Sequence, residues 1–127
     1  MAESDPARLI RPQDRVPGEM TPGITREQAV AEAGMWAGFA RTEAGATSGW
    51  HHHGEYDSCI YVASGTLRME SGPGGREVAD ATAGDFVFVP KGAIHREGNP
   101  GDAEIHMVVV RAGKGPAVIN VDGPAAE

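Results

Sequence analysis

Between Gly34 and Val121 the chain alternates short apolar or period-two runs with glycine-rich breaks, a rhythm that predicts strands rather than helices. The runs are Met35 to Glu43, Ser58 to Ala63, Thr66 to Ser71, Glu77 to Ala79, Phe86 to Val89, Ile94 to Glu97 and Glu104 to Arg111. In Thr66-Leu67-Arg68-Met69-Glu70 the apolar Leu67 and Met69 share one face and the polar residues the other, as a half-buried strand requires. Ser71-Gly72-Pro73-Gly74-Gly75 then predicts a hairpin loop. Upstream, Met1 to about Gly23 has almost no periodic apolar pattern and predicts a flexible or partner-draped arm. Thr25 and Gln28 have capping-box spacing ahead of Ala29, Val30, Ala31 and Ala33, which predicts one short helix ending near Gly34. The expected organisation is an arm and helix over residues 1–34, an all-β sandwich or barrel over 35–121, and a loose tail over 122–127.

A length of 127 residues suits a single hydrophobic core. With 40% hydrophobic and 23% charged residues, the composition excludes a wholly disordered chain. No apolar run approaches the roughly 18 to 20 residues that a membrane span needs, and the first residues carry charges where a signal peptide would be apolar. A cytoplasmic protein is therefore expected. The net charge of −7 comes without any basic cluster, which argues against nucleic acid as a partner. Cys59 is the sole cysteine, so an intrachain disulfide and a Cys-based zinc site are both excluded, and its simplest role is a small buried apolar group.

The candidate chemistry lies in five histidines, at positions 51, 52, 53, 95 and 106. In an extended segment His51 and His53 project together while His52 points away, and two imidazoles on one face can chelate a metal. That pair alone is a weak signal. Around it, however, the chain reads Gly45, five residues, His51, one, His53, three, Asp57, six, Gly65. A second cluster reads Gly84, five residues, Pro90, one, Gly92, two, His95, three, Asn99. Pro90 and Gly92 break the strand that ends at Val89 and let His95 approach the first pair.

These two clusters resemble, in every spacing, the paired motifs of the cupin superfamily, in particular small bacterial cupins of one domain. The resemblance implies an antiparallel jelly-roll β-barrel with a metal near its mouth, held by His51, His53 and His95. Gly65, Gly84, Pro90 and Gly92 then take turn positions, and Asn99 a structural one. Asp57 stands where the family has Glu and is about one methylene shorter. It is either a fourth ligand or an acceptor that orients a ligating histidine or a bound water, with Glu55 a distant substitute. Three neutral imidazoles suit one divalent transition metal per subunit, Fe(II), Ni, Cu or Zn, with Mn preferring more oxygen ligands.

Strand parity counted from Asp57 places Cys59 and Tyr61 on a face that could line the cavity. His106 shares a face with Val108 and Val110, which makes it a core histidine or, inside the barrel, a general acid or base; Tyr61 is the other catalytic candidate. Trp50 reads as packing or pocket wall, Arg41, Arg96 and Glu97 as solvated, and Phe86, Phe88, Leu67 and Met69 as the walls of a dry cavity. The expected function is a metal-dependent oxygenase or oxidoreductase acting on a small chelating substrate. A non-oxidative isomerase or lyase and a non-catalytic small-molecule sensor stand as alternatives. A homodimer is expected, from the family resemblance and from sheet edges that need cover.

Overall fold

The computed structural model describes residues 4–116 and 118–125. Its strands are β1 (Val16–Pro17), β2 (Ile24–Glu32), β3 (Met35–Thr42), β4 (His51–His52), β5 (Asp57–Ser64), β6 (Leu67–Ser71), β7 (Glu77–Ala81), β8 (Phe86–Val89), β9 (His95–Gly98), β10 (Ile105–Ala112) and β11 (Ile119–Asn120). They form a six-stranded sheet ordered β1-β2-β3-β10-β5-β8 and a five-stranded sheet ordered β11-β4-β9-β6-β7. Each pairing is antiparallel. The two sheets make a jelly roll whose hydrogen bonding does not close into a continuous cylinder, since β7 and β8 each end a sheet. Among the described residues no helix is long and apolar enough to cross a membrane.

Strand alternation builds the core. Ala40 on β3, Ile60 and Val62 on β5, and Met107 and Val109 on β10 point inward from one sheet. Leu67, Met69 and Ala81 meet them from the other. Leu67 and Ile105 are completely buried. Of the expected walls, Leu67 and Met69 are buried and Phe86 and Phe88 are 69% and 64% exposed, and of the four only Met69 and Phe88 border the cleft that reaches His95. Gly65 supplies the turn between β5 and β6 with φ of +88°, and a Cβ there would lie 3.1 Å from Ile105 Cα, so the turn needs glycine for conformation and for space.

The expected short helix is instead the nine-residue strand β2, paired with β3 across a tight turn at Ala33 and Gly34. The capping-box spacing at Thr25 is real, but two-sided pairing with β1 and β3 overrides a weak local helical preference. β2 also carries an irregularity between Gln28 and Val30, which blurs the period-two signal. The arm is not free either. Pro12–Asp14 forms a 3-10 turn, and Val16–Pro17 pairs with Gln28 and Glu27. Val121, just before the expected tail, donates its N–H to Trp50 O at 3.0 Å, and within the tail Ala125 O accepts the Gly74 N–H at 2.7 Å.

Truncating the fully buried Leu67 to Ala leaves a cavity between the sheets and should cost about 2–5 kcal/mol. Urea unfolding monitored by tryptophan fluorescence measures it, and a loss under about 1 kcal/mol would show that the two sheets do not share this core.

Candidate metal centre

The centre begins with β4, only two residues long, which places His51 directly opposite His95 of β9. Each strand contributes through its two-residue repeat. His53 follows His51 to the interior while His52 turns away, and its Nδ1 accepts the Gly54 N–H at 3.0 Å. On β9, His95 and Glu97 both point inward and Arg96 points out. His51, His53, His95 and Glu97 are all buried, and one donor atom from each lies within 4.8 Å of all the others. The imidazole centroids are 4.3 to 5.1 Å apart.

Backbone carbonyls set the tautomers. His51 Nδ1 lies 2.9 Å from Gly49 O and His95 Nδ1 lies 3.0 Å from Ala93 O, so each Nδ1–H is donated and each Nε2 keeps its lone pair. Both Nε2 atoms are buried without a hydrogen-bond partner. They face Glu97 Oε1 at 3.7 and 3.5 Å, too long for a hydrogen bond. Two lone pairs and a carboxylate turned toward one point, in a site without water access, fit a cation better than they fit each other. Burial alone would raise the Glu97 carboxyl, but positive charge facing it, a proton on an imidazole Nε2 standing where an ion would and the charge of Arg26, outweighs burial and holds the group well below the ordinary carboxylate range. Glu97 is therefore an anion available to a metal.

Short ties brace the frame. Gly92 N–H donates to Gly54 O at 3.0 Å, joining the loop after His53 to the loop before His95. Ser48 Oγ accepts the Glu97 N–H at 3.0 Å, while Ser48 N–H donates to Glu97 O at 2.7 Å. Asn99 donates its amide to Thr42 O and Ala103 O and accepts from Gly101 N–H, the structural role expected of it.

Other candidates lie elsewhere. Asp57 Oδ1 accepts the Lys91 N–H at 2.9 Å, so this carboxylate anchors the loop leading to His95 and does not belong to the cluster. The turn at residues 54–56 shifts the phase of β5, so Ser58, Ile60 and Val62 face inward while Cys59 and Tyr61 face outward. Tyr61 packs against Phe86 with ring centroids 5.0 Å apart. His106 also lies on the outer face, its Nε2 2.8 Å from Glu104 Oε1 and its ring beside Phe39. Trp50 is packing, with the Arg96 guanidinium 4.5 Å above its ring and Arg96 paired with Glu70. Arg41 likewise pairs with Glu27. Glu97, read as solvated, is 3% exposed; counting by two from His95 would have found it.

Two spaces adjoin the cluster. A cleft of about 230 Å³ between the edge strands β7 and β8 is lined by Met69, Val78, Val87, Phe88 and Ala93 and reaches His95. On the other side a hollow of about 10 Å³ is bordered by His53, Glu97, Ser58, Arg26 and Arg111. Burial and the like charge of Arg26 push the Arg111 guanidinium down to about 10, so it remains a cation at neutral pH.

A family model described as "Cupin domain" matches residues 38–111. No curated protein matches the chain. Among solved structures, an uncharacterized conserved protein with a double-stranded β-helix domain from Klebsiella pneumoniae is 19% identical with a TM-score of 0.73, covering 91% of this chain and 98% of that one. The polyketide cyclase RemF from Streptomyces resistomycificus is 17% identical with a TM-score of 0.74, covering 91% and 85%. An oxalate oxidase in complex with the substrate analogue glycolate is 22% identical with a TM-score of 0.65, covering 78% of this chain and 55% of that one. At these identities the likeness shows the fold alone.

Removing a donor should release the ion, and removing the loop anchor should not. His51→Ala, His95→Ala and Glu97→Ala should lose stoichiometric transition metal by elemental analysis of protein purified without nickel resin, while Asp57→Asn keeps it within about tenfold of wild-type affinity. Metal retained in all three donor variants, or lost in Asp57→Asn with the fold intact, would contradict this ligand set.

Proposed function

Because the chain belongs to the cupin family, with the matched segment running from β3 through Arg111 of β10, we propose that it is a metal-dependent oxygenase or oxidoreductase acting on a small chelating molecule. The observation that carries this reading is the pair of buried, unpartnered Nε2 atoms facing an ionised carboxylate. A divalent ion held by three neutral imidazoles and Glu97 keeps one net positive charge. The added oxygen donor moves the set away from Cu and Zn toward Fe(II) and Mn. A bound ion of that kind supplies Lewis acidity and one-electron chemistry toward O₂.

The protein contributes placement and exclusion of water. The carbonyls of Gly49 and Ala93 fix the two imidazoles, and the His53–Glu97 edge of the cluster faces the hollow while His95 faces the cleft. The apolar cleft lining suits the carbon skeleton of a small substrate. The outward positions of Tyr61 and His106 leave proton handling to groups of the inner face, so neither belongs to the proposed machinery.

The homodimer is retained as part of the proposal. Tyr61, Phe86, Phe88 and Val108 make an exposed apolar surface on the outer face of the six-stranded sheet, and a second copy would cover it.

Aerobic turnover of a panel of diketones, catechols and hydroxy acids by the Fe(II)- or Mn(II)-loaded protein, with one O₂ consumed per product, is the expected outcome in an oxygen electrode. Equal turnover without O₂ would assign the isomerase or lyase alternative, and no turnover with metal and ligand both bound would assign the sensor. Light scattering should give about twice the 13.3 kDa chain mass, and Phe86→Glu with Phe88→Glu should halve it; a monomer in the wild type would refute the dimer.

A further inference from the structure

The cleft that reaches His95 has one charged side chain in its lining, Glu77. Strand register puts the two in line. Glu77 of β7 pairs with Ser71 of β6, and Ser71 pairs in turn with His95 of β9. Directly paired residues of an antiparallel sheet project from the same face, so carboxylate, hydroxyl and imidazole form one row across three strands. Neighbouring positions fix the phase: Arg68 and Asp80 pair with each other on the outer face, while Met69 and Ala81 are buried on the inner one. Gly72 makes room for the row, with φ of +75°; a Cβ there would lie 2.6 Å from Glu77 Cγ. Among the described residues the side chains of Ser71 and Glu77 make no hydrogen bond or ion pair, so both are available to a ligand.

Size and charge narrow what that ligand is. A cavity of roughly 150 Å³ accepts benzene, so a cleft of about 230 Å³ takes a single ring with short substituents and not a fused polycycle. Met69, Ala79, Val87 and Phe88 give it apolar walls for such a ring. Adjacent strands lie roughly 4.8 Å apart, which separates the backbones of His95 and Glu77 by about 9.6 Å. Less the reach of the two side chains, one ring bearing a short arm spans that gap. The ends differ in sign. An ion held by three imidazoles and Glu97 leaves the His95 end with net positive charge, whereas Glu77 makes the other end negative, and no lysine or arginine lines the cleft. Chelating oxygens suit the first end and an ammonium or an N–H or O–H donor the second. A carboxylate at the second end meets like charge.

We propose that Glu77, with Ser71 beside it, is a specificity-determining residue that selects a single-ring substrate carrying a cationic or hydrogen-bond-donating group at the end opposite its chelating oxygens, and rejects one carrying an acid there. The inference rests on the metal-centre reading for the attachment at the His95 end. It deepens that reading by giving the substrate a polarity: acidic oxygens toward the ion, donor toward Glu77.

Calorimetric titration of the Mn(II)-loaded full chain under nitrogen, which suppresses turnover, tests this with three catechols that differ only in the group para to one oxygen: aminomethyl, methyl or carboxylate. The aminomethyl compound should bind most tightly to the wild type and the carboxylate least. Ring substituents also alter chelation, so the decisive quantity is the ratio of the aminomethyl to the carboxylate affinity. Glu77→Gln should lower that ratio at least about threefold at unchanged metal content, and Glu77→Lys should lower it further. Ala79→Phe, which fills the cleft, should weaken all three ligands with metal retained. A ratio unchanged in both Glu77 variants, full binding in Ala79→Phe, or no binding of any of the three to the metal-loaded wild type would overturn the inference while leaving the metal centre intact. If no preparation holds metal, the metal-centre reading fails by itself. Benzylamine and benzoate then serve as probes of the metal-free chain: a preference for benzylamine that Glu77→Gln removes would still uphold the selection by Glu77, and equal or undetectable binding would overturn it.

Discussion

An ionised carboxylate buried between imidazoles is the constraint around which this fold is arranged. Glu97 is inside because strand alternation sends it to the same face as His95, and His95 is inside because it pairs with His51 on the two-residue strand β4. Neither strand could shift by one residue without turning its donors out to solvent. The ties between Ser48 and Glu97, and between Gly92 and Gly54, hold that register from both sides. The surrounding sheets then provide a dry setting in which an unpaired Glu97 would be expensive and a paired one strongly held.

The charge between the two sheets is distributed unevenly. On the His95 side the cluster meets an apolar cleft between the free edges of the two sheets, and on the His53 and Glu97 side it meets two guanidinium groups. The N-terminal residues belong to the same arrangement, because β2 carries Arg26 and the segment just before it provides that arginine's backbone and hydroxyl contacts. What reads in the sequence as an arm is thus part of the wall of the site.

The strand rhythm and the histidine spacing were legible because each depends on local order along the chain: Leu67 and Met69 alternate within one strand, and His51 and His53 differ by two positions. Three features were not legible for reasons that are themselves physical. β2 forms through pairing with distant partners, which no local signal at Thr25 or Gln28 reports. The phase of β5 depends on how the turn at Gly54 spends its residues, so parity counted from Asp57 puts Cys59 and Tyr61 on the cavity side, whereas Asp57 lies off the cluster and both face outward. Glu97 reads as solvated because charge normally means exposure, and only its interior partner groups overturn that expectation. Within a single strand, however, the two-residue repeat from His95 already pointed to Glu97.

X-ray absorption spectroscopy of the metal-loaded protein tests the central claim most directly, because it reads the donor set around the ion itself. Three imidazole nitrogens and at least one carboxylate oxygen at about 2.0–2.2 Å are predicted, with the carboxylate contribution lost in Glu97→Gln and unchanged in Asp57→Asn. A spectrum with fewer than three imidazoles, or one whose carboxylate signal follows Asp57, would contradict it.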